Sequence, residues 1–233
     1  MSLPAISYYC TKCDFRGGDL GTWGLKEYVL PNGVRVGVHW RLGWCEDCVG
    51  LAAVENLDSD ERLKDLAEAK AELGALPPHP MRHWWQLHGF MFNHAWQKQL
   101  EAWERERFHL QCKLDDAQDA LEHLKGRKQP PRCLACGSDR VHSPLITNPE
   151  PWNDPSQPHH TGFVHPGCGG ELWRREEDMR FALKPTVRRY SPEGDFLEKE
   201  FVEGYTVPDG EYFENLESSN AKARGRSIPL STG

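Results

Sequence analysis

Three patterns in the 233-residue chain predict a small multi-domain α+β fold. Cysteines recur in Cys-x-x-Cys pairs toward both ends, short runs of alternating β-formers lie beside them, and the middle of the chain has helical periodicity. Together these predict two β-rich, metal-binding ribbons flanking a helical hairpin or coiled coil, plus a C-terminal β-hairpin. The expected boundaries are 1–50 for the first ribbon, 51–129 for the helices, 130–217 for the second ribbon with its hairpin, and 218–233 for a flexible tail.

The first ribbon opens with Cys10-x-x-Cys13 and closes with Cys45-x-x-Cys48. Two residues between ligands let a tight turn aim both sulfurs at one ion, and two such knuckles complete the closed tetrahedron of structural zinc. Cys10, Cys13, Cys45 and Cys48 are therefore expected to form a four-thiolate site. Between them, Pro31-Asn32-Gly33 interrupts two β-rich runs and signals a hairpin. The run Val34, Val36, Val38, Trp40 alternates with polar residues and glycine, as a strand with one apolar face does. A core this thin leaves much of the folding free energy to the ion.

The helical section begins at Asp58-Ser59-Asp60-Glu61, which offers N-cap candidates and early acids, and its first helix breaks at Gly74 and the prolines 77, 78 and 80. A second helix is expected from about Met81 to Lys125, ending at Gly126. Trp96, Leu100, Trp103, Arg107, Leu110, Leu114, Ala117, Leu121 and Leu124 alternate by four and three, a coiled-coil seam with one charged member. The first helix is expected to fold back only on the stretch near Met81–Gln97. That leaves the seam to its own C-terminal ribbon, to a second copy of the chain, which is favoured, or to another protein. The histidines at 79, 83, 88 and 94 lack a metalloprotease spacing, and the aromatics at 84, 85, 90, 92 and 96 read as hairpin core.

The second ribbon carries Cys133-x-x-Cys136 and His165-x-x-Cys168, expected to form a site of three thiolates and one imidazole. Twenty-eight residues separate Cys136 from His165, so His142, His159 and His160 compete for the fourth place. His165 is preferred because its spacing to Cys168 repeats the knuckle. The Pro- and His-rich insertion 143–161 is expected to be a mobile loop. Val187–Tyr190 and Phe196–Glu198 flank a turn and predict the last hairpin. Cys112 stands alone and reads as helix packing.

Composition bounds the function. With 28 Lys and Arg against 35 Asp and Glu, the net charge of −7 gives no general attraction to nucleic acid or anionic membrane. Mean hydropathy is −0.69 and the longest uncharged stretch of the middle section is too short and polar to span a bilayer. The N-terminus lacks the pattern of a secretory signal, and paired cysteines without a disulfide context fit a cytoplasmic protein.

The residues Cys10-Thr-Lys-Cys13, Gly43-Trp-Cys45-Glu-Asp-Cys48 and His165-Pro-Gly-Cys168-Gly-Gly resemble the knuckles of bacterial zinc-ribbon proteins. The resemblance implies two Zn²⁺ per chain and a ribbon fold. The 31 residues between Cys13 and Cys45 also resemble rubredoxin spacing, although Asp14 and Val49 stand where that family has glycine.

The functional expectation is a zinc-binding, non-enzymatic adaptor or structural subunit that acts through protein–protein contacts. All eight donors are used in closing tetrahedra, and the chain shows no nucleophile elbow, phosphate loop or metalloprotease helix, so no catalytic residue is assigned. The alternative is a nucleic-acid-binding component using Lys12, Arg16, Arg35, Arg41, Arg188 or Arg189. A rubredoxin-like electron carrier is the remote one.

Overall fold

Alternating apolar residues and turn-forming glycines, prolines and asparagines give a chain dominated by short antiparallel strands, as the computed structural model shows for residues 2–80, 90–146, 153–182, 186–201 and 219–225. The first run holds β1 (Ser2–Cys10), β2 (Arg16–Gly18), β3 (Leu25–Val29), β4 (Arg35–Gly37), β5 (Trp40–Cys45) and β6 (Gly50–Glu55). Two helices follow, α1 (Ser59–Ala75) and α2 (Phe90–Gly126). The remainder holds β7 (Val141–His142), β8 (His159–Val164), β9 (Glu171–Ala182), β10 (Thr186–Tyr190) and β11 (Phe196–Phe201). The α+β class holds. Among the described residues, no helix is long and apolar enough to cross a membrane.

The chain divides into two compact units, but not along the expected boundaries. One unit comprises Met1–Val29, Gly37–Leu57 and Arg127–Gly210; the other comprises Leu30–Val36, Asp58–Gly126 and Glu211–Gly233. The first unit thus unites the two segments that sequence spacing assigned to separate ribbons. Strand pairing is the physical reason. β1 pairs antiparallel with β9 from Ser2↔Ala182 to Cys10↔Leu172, giving a sheet ordered β2-β1-β9-β8. A second sheet has the order β6-β5-β7, so residues beyond position 140 also complete the β5–β6 hairpin. In a third, β10 pairs with β11 and runs parallel to β3. The C-terminal hairpin forms as expected, but it extends a sheet begun near the N-terminus.

The predicted Pro-Asn-Gly hairpin is present. Gly33 N–H donates to the Leu30 carbonyl, Asn32 Oδ1 accepts from Val34 N–H, and Val38 N–H donates to the Lys26 carbonyl. Part of the insertion expected to be mobile is ordered. Leu145 is fully buried and its N–H donates to the Leu42 carbonyl at 2.7 Å.

In the helical unit, Asp58 caps α1 by accepting from Asp60 N–H at 2.9 Å. Glu72 pairs with Lys113 at 2.6 Å and the Trp103 indole N–H donates to the Pro77 carbonyl at 2.7 Å. These contacts set α1 antiparallel to the C-terminal half of α2, which corrects the expected docking near residues 81–97. Helix α2 is described from Phe90 to Gly126, and the expected start near Met81 lies outside the described residues. Residues 81–89, and the side chains through 95, lie outside the described residues. So do the histidines at 83, 88 and 94 and the aromatics at 84, 85, 90 and 92; His79 packs edge-on against Trp103.

The seam is not a free stripe. Leu110, Ala117 and Leu121 are buried, Trp96, Leu100, Trp103, Leu114 and Leu124 are half-buried, and Arg107 is exposed with its guanidinium over the Trp103 ring. Cys112, Asp115 and Ala120, off the heptad positions, are buried too. A helix covered on more than one side is a globular-core helix rather than a two-stranded coil. The expected tail contributes to this unit: residues 219–223 are helical, and Asn220 and Ala221 are fully buried. Arg224 reaches Asp116 and Asp119, while the Asn220 amide donates to the Arg35 carbonyl and its oxygen accepts from Arg35 N–H.

Candidate metal centres

All eight predicted ligands are brought together in two groups of four donors, but the groups differ from those expected. Cys10, Cys13, His165 and Cys168 form one group, and Cys45, Cys48, Cys133 and Cys136 form the other. The first knuckle therefore meets the fourth, and the second meets the third. Spacing identifies a knuckle but not its mate. The mate is chosen by the β1–β9 and β5–β7 ladders, which the sequence does not announce.

The first centre lies at one end of the β2-β1-β9-β8 sheet, where the turns of two neighbouring hairpins lie side by side. Cys10 is the last residue of β1, the chain turns through Cys13, and Cys10 N–H donates to the Phe15 carbonyl. Opposite, β8 ends at Val164 and His165 N–H donates to the Gly170 carbonyl before β9 begins. Gly170 is required by close approach: a Cβ there would lie 2.5 Å from Cys10 Sγ and 2.6 Å from Lys12 Cβ. Backbone N–H groups point at the sulfurs, from Lys12 to Cys10 and from Gly170 to Cys168, each at 3.4 Å.

The donor spacings fit a tetrahedral ion. Metal–sulfur bonds of about 2.3 Å give a tetrahedron with edges of about 3.8 Å, and a nitrogen donor shortens its edges slightly. Cys10 Sγ and Cys168 Sγ are 3.4 Å apart, and His165 Nδ1 lies 3.3 Å from Cys13 Sγ and 3.2 Å from Cys168 Sγ. In the second centre Cys45–Cys136 and Cys48–Cys133 are 3.6 Å and 3.8 Å apart. All the cysteines are free thiols, and these separations far exceed a disulfide bond. His165 presents Nδ1, so a bound ion fixes its remaining proton on Nε2.

The second centre is built on the β5–β6 hairpin. Cys45 ends β5, Cys48 follows in the turn, and β6 resumes at Gly50. The Cys133 loop is fastened across it by Leu134 N–H to the Ala53 carbonyl at 2.8 Å and by a bridge between Val54 and Cys133. Glu46 accepts from His142 and pairs with Arg140, which also contacts Asp47. After the second ligand of three knuckles the backbone is left-handed, with φ of 49° at Val49, 79° at Gly137 and 68° at Gly169.

Electrostatics follow from crowding sulfurs. Burial raises the Cys10 thiol, but the N–H groups of Lys12 and Cys13 prevail and bring it down to about 6. The Phe15 N–H favours the Cys13 thiolate, yet burial and the adjoining Cys168 and Cys10 hold it above the ordinary value. In the second centre, burial pushes Cys48 up, with Cys136 and Cys133 adding to it, and burial pushes Cys133 up to about 11. Cys136 is brought down against burial by the Ser138 N–H and the neighbouring thiols. Cys10 and Cys136 thus ionise more readily than an ordinary thiol, whereas Cys13, Cys48 and Cys133 resist. A divalent cation resolves that conflict, and its binding must release protons.

Both centres border on packed side chains. Tyr8, Cys10, Trp44, Leu145 and Leu172 form a buried cluster that takes in Phe15, Leu42, Leu51, Cys13 and Cys168. Trp44 meets the His165 ring edge-on at 4.6 Å and Phe15 at 4.9 Å. Spacing gave no signal for Trp44, which sequence reading left unassigned. A second group it missed is Glu55, which accepts from Tyr28, from Arg127 at 2.8 and 2.5 Å, and from Arg132 N–H. Its members lie far apart in the chain, so no local pattern brings them together.

The six basic residues proposed for nucleic acid are divided between the two compact units. Arg189 is committed to Glu27, Glu198 and Glu200. Arg35 belongs to the helical unit, whereas Lys12, Arg16, Arg41 and Arg188 belong to the other. Arg16 lies over the Tyr9 ring at 4.9 Å. The rubredoxin spacing argument also falls, because Cys13 and Cys45 serve different centres. No protein-family model, curated protein or solved structure matches the chain.

Proposed function

We propose that this chain is a zinc-binding, non-enzymatic adaptor or structural subunit that holds two Zn²⁺ ions in closed sites. The observation that carries the reading is the pair of complete four-donor groups at tetrahedral spacing. Four protein donors leave no position for a catalytic water, and thiolate-rich sets favour zinc over harder cations. Metal analysis of freshly purified protein should return two zinc ions per chain. A value of one or none overturns the two-site reading. For the adaptor role, the protein-facing surface is the N-terminal part of the seam, where Leu100 and Trp103 are only half-buried and Arg107 is exposed. Leu100→Asp should abolish any self-association or partner capture seen by sedimentation of the wild type.

Nucleic-acid binding is a second reading, favoured by one observation. Arg16, Tyr9, Trp173 and His160 are successive cross-strand partners, forming a cation-and-aromatic row across β2-β1-β9-β8. Such rows stack unpaired bases. The nearby Glu177, paired with Arg175, weakens the electrostatic attraction. Fluorescence anisotropy with single-stranded oligonucleotides at low salt decides this reading, which fails if no binding appears or if Trp173→Ala leaves binding unchanged.

A further inference from the structure

Strand β5 lies between the two candidate centres. Successive residues on a strand point to opposite faces. Cys45 points to a cluster with Ala52 and Cys133, where it is a donor of the second centre. Trp44, one residue earlier, points to the cluster that contains Cys10, Cys13 and Cys168 of the first. There it packs edge-on against the His165 ring at 4.6 Å, and with Phe15, 5.1 Å from that ring, it forms an aromatic wall beside the imidazole.

This strand has little freedom to shift one residue without the other. Trp44 is 3% exposed and is paired on both sides, with Leu51 of β6 and His142 of β7. At Gly43 the neighbouring strands come so close that a Cβ would meet the His142 carbonyl oxygen at 2.6 Å and Val54 Cγ2 at 2.7 Å. The Leu145 N–H bond to the Leu42 carbonyl fastens the strand once more. A displacement that relaxes Cys45 out of its tetrahedron therefore carries Trp44 with it. Any reorientation of His165 must likewise displace the Trp44 ring.

We propose that Trp44 is a positioning residue that couples the two metal centres, so that a zinc ion in either one raises the affinity of the other. The coupling rests on the zinc reading above, and acts by keeping β5 in the single register that serves both sites. Side chains just outside a metal's ligand shell change affinity by about 10–100-fold, and a coupling between two sites is reciprocal.

The test uses the full-length chain, stripped of metal and titrated with cobalt(II), whose absorption differs between a three-thiolate, one-imidazole site and a four-thiolate site. Competition with a chromophoric chelator then gives zinc affinities. Cys48→Ser, which disables the second centre, should weaken the first centre at least about tenfold, and Cys13→Ser should weaken the second by a similar factor. Trp44→Phe should retain this coupling. In Trp44→Ala, which removes no ligand but takes away the ring packed on His165, the first centre should be weak and indifferent to Cys48→Ser. Circular dichroism of each metal-free and loaded variant checks that β structure persists. If Cys48→Ser leaves the first centre's affinity unchanged, or Trp44→Ala stays coupled like the wild type, the coupling role is wrong although both zinc sites stand. A wild type that binds neither cobalt nor zinc overturns the zinc reading itself.

Discussion

Val49 shows how one residue can register the geometry of a knuckle. It is a β-branched, exposed residue held at φ 49°, at the position where two other knuckles place glycine. Such a conformation costs about 1–3 kcal/mol for a side chain of this kind, while glycine gives up about 0.5–1 kcal/mol in chain entropy. Val49→Gly should therefore stabilise the loaded protein by about 1 kcal/mol, seen as a rise of about 2–4 °C in Tm. An unchanged or lower Tm would mean that Val49 makes contacts that offset the strain. The thiols supply a second residue-scale prediction. Cys10 is already brought down to about 6, whereas burial holds Cys48 and Cys133 up. The sign follows: a group lowered in the folded chain favours the structure above its unfolded value and loses that effect as pH falls through about 6. Raised thiols must instead surrender protons to the incoming ion. At neutral pH, loading the second centre should release more protons than loading the first, and its apparent affinity should fall more steeply on acidification. Calorimetric titrations in buffers of different ionisation enthalpy measure this directly. At this scale the sequence was highly legible, since ligand chemistry and knuckle spacing named all eight donors. It could not show Trp44 or Glu55, whose roles depend on partners distant in the chain.

At the scale of elements, local signals located most segments and misjudged what covers them. Asp58 and the prolines after position 76 bounded α1, and the Pro-Asn-Gly turn and the C-terminal hairpin appear where their residue types place them. The heptad positions of α2 are partly covered within its own unit. Alternation by four and three is also what a globular helix displays when α1 covers one side and other segments cover the next. The polar composition of the chain after 218 concealed Asn220, whose single buried amide satisfies both the N–H and the carbonyl of Arg35. Removing it strands two backbone groups, at about 1–3 kcal/mol for each one left buried and unsatisfied. Asn220→Ala should lower stability by about 2 kcal/mol or more in denaturant unfolding while leaving the zinc content at the wild-type value. A neutral substitution would show that water replaces the amide at Arg35.

For the whole molecule, the nested order of the knuckles decides what can be cut. In the sequential order that spacing suggested, each ribbon would own its ion, and the chain up to 129 would keep one zinc after the rest was removed. The observed order gives each centre two donors before residue 49 and two after residue 132. The strongest ladder of the first unit, β1 with β9, spans the same division. The two ribbons also share the buried cluster around Trp44 and Leu145. A fragment of residues 1–129 therefore retains only half of each tetrahedron, with β1 deprived of its main partner and β5 without β7. Two thiolates from one knuckle do not fill zinc's four positions, and without the ion a core of this size is marginal. The fragment should bind no zinc with high affinity, leave β1 and β5 unfolded, and keep helical circular dichroism from α1 and α2. Mixing it with a fragment of residues 130–233 in the presence of zinc should restore two ions per pair, because both halves of each site are then available. A stoichiometry of one tightly held zinc on the isolated 1–129 fragment would demand that Cys10, Cys13, Cys45 and Cys48 close on a common ion, and the nested assignment would have to be abandoned.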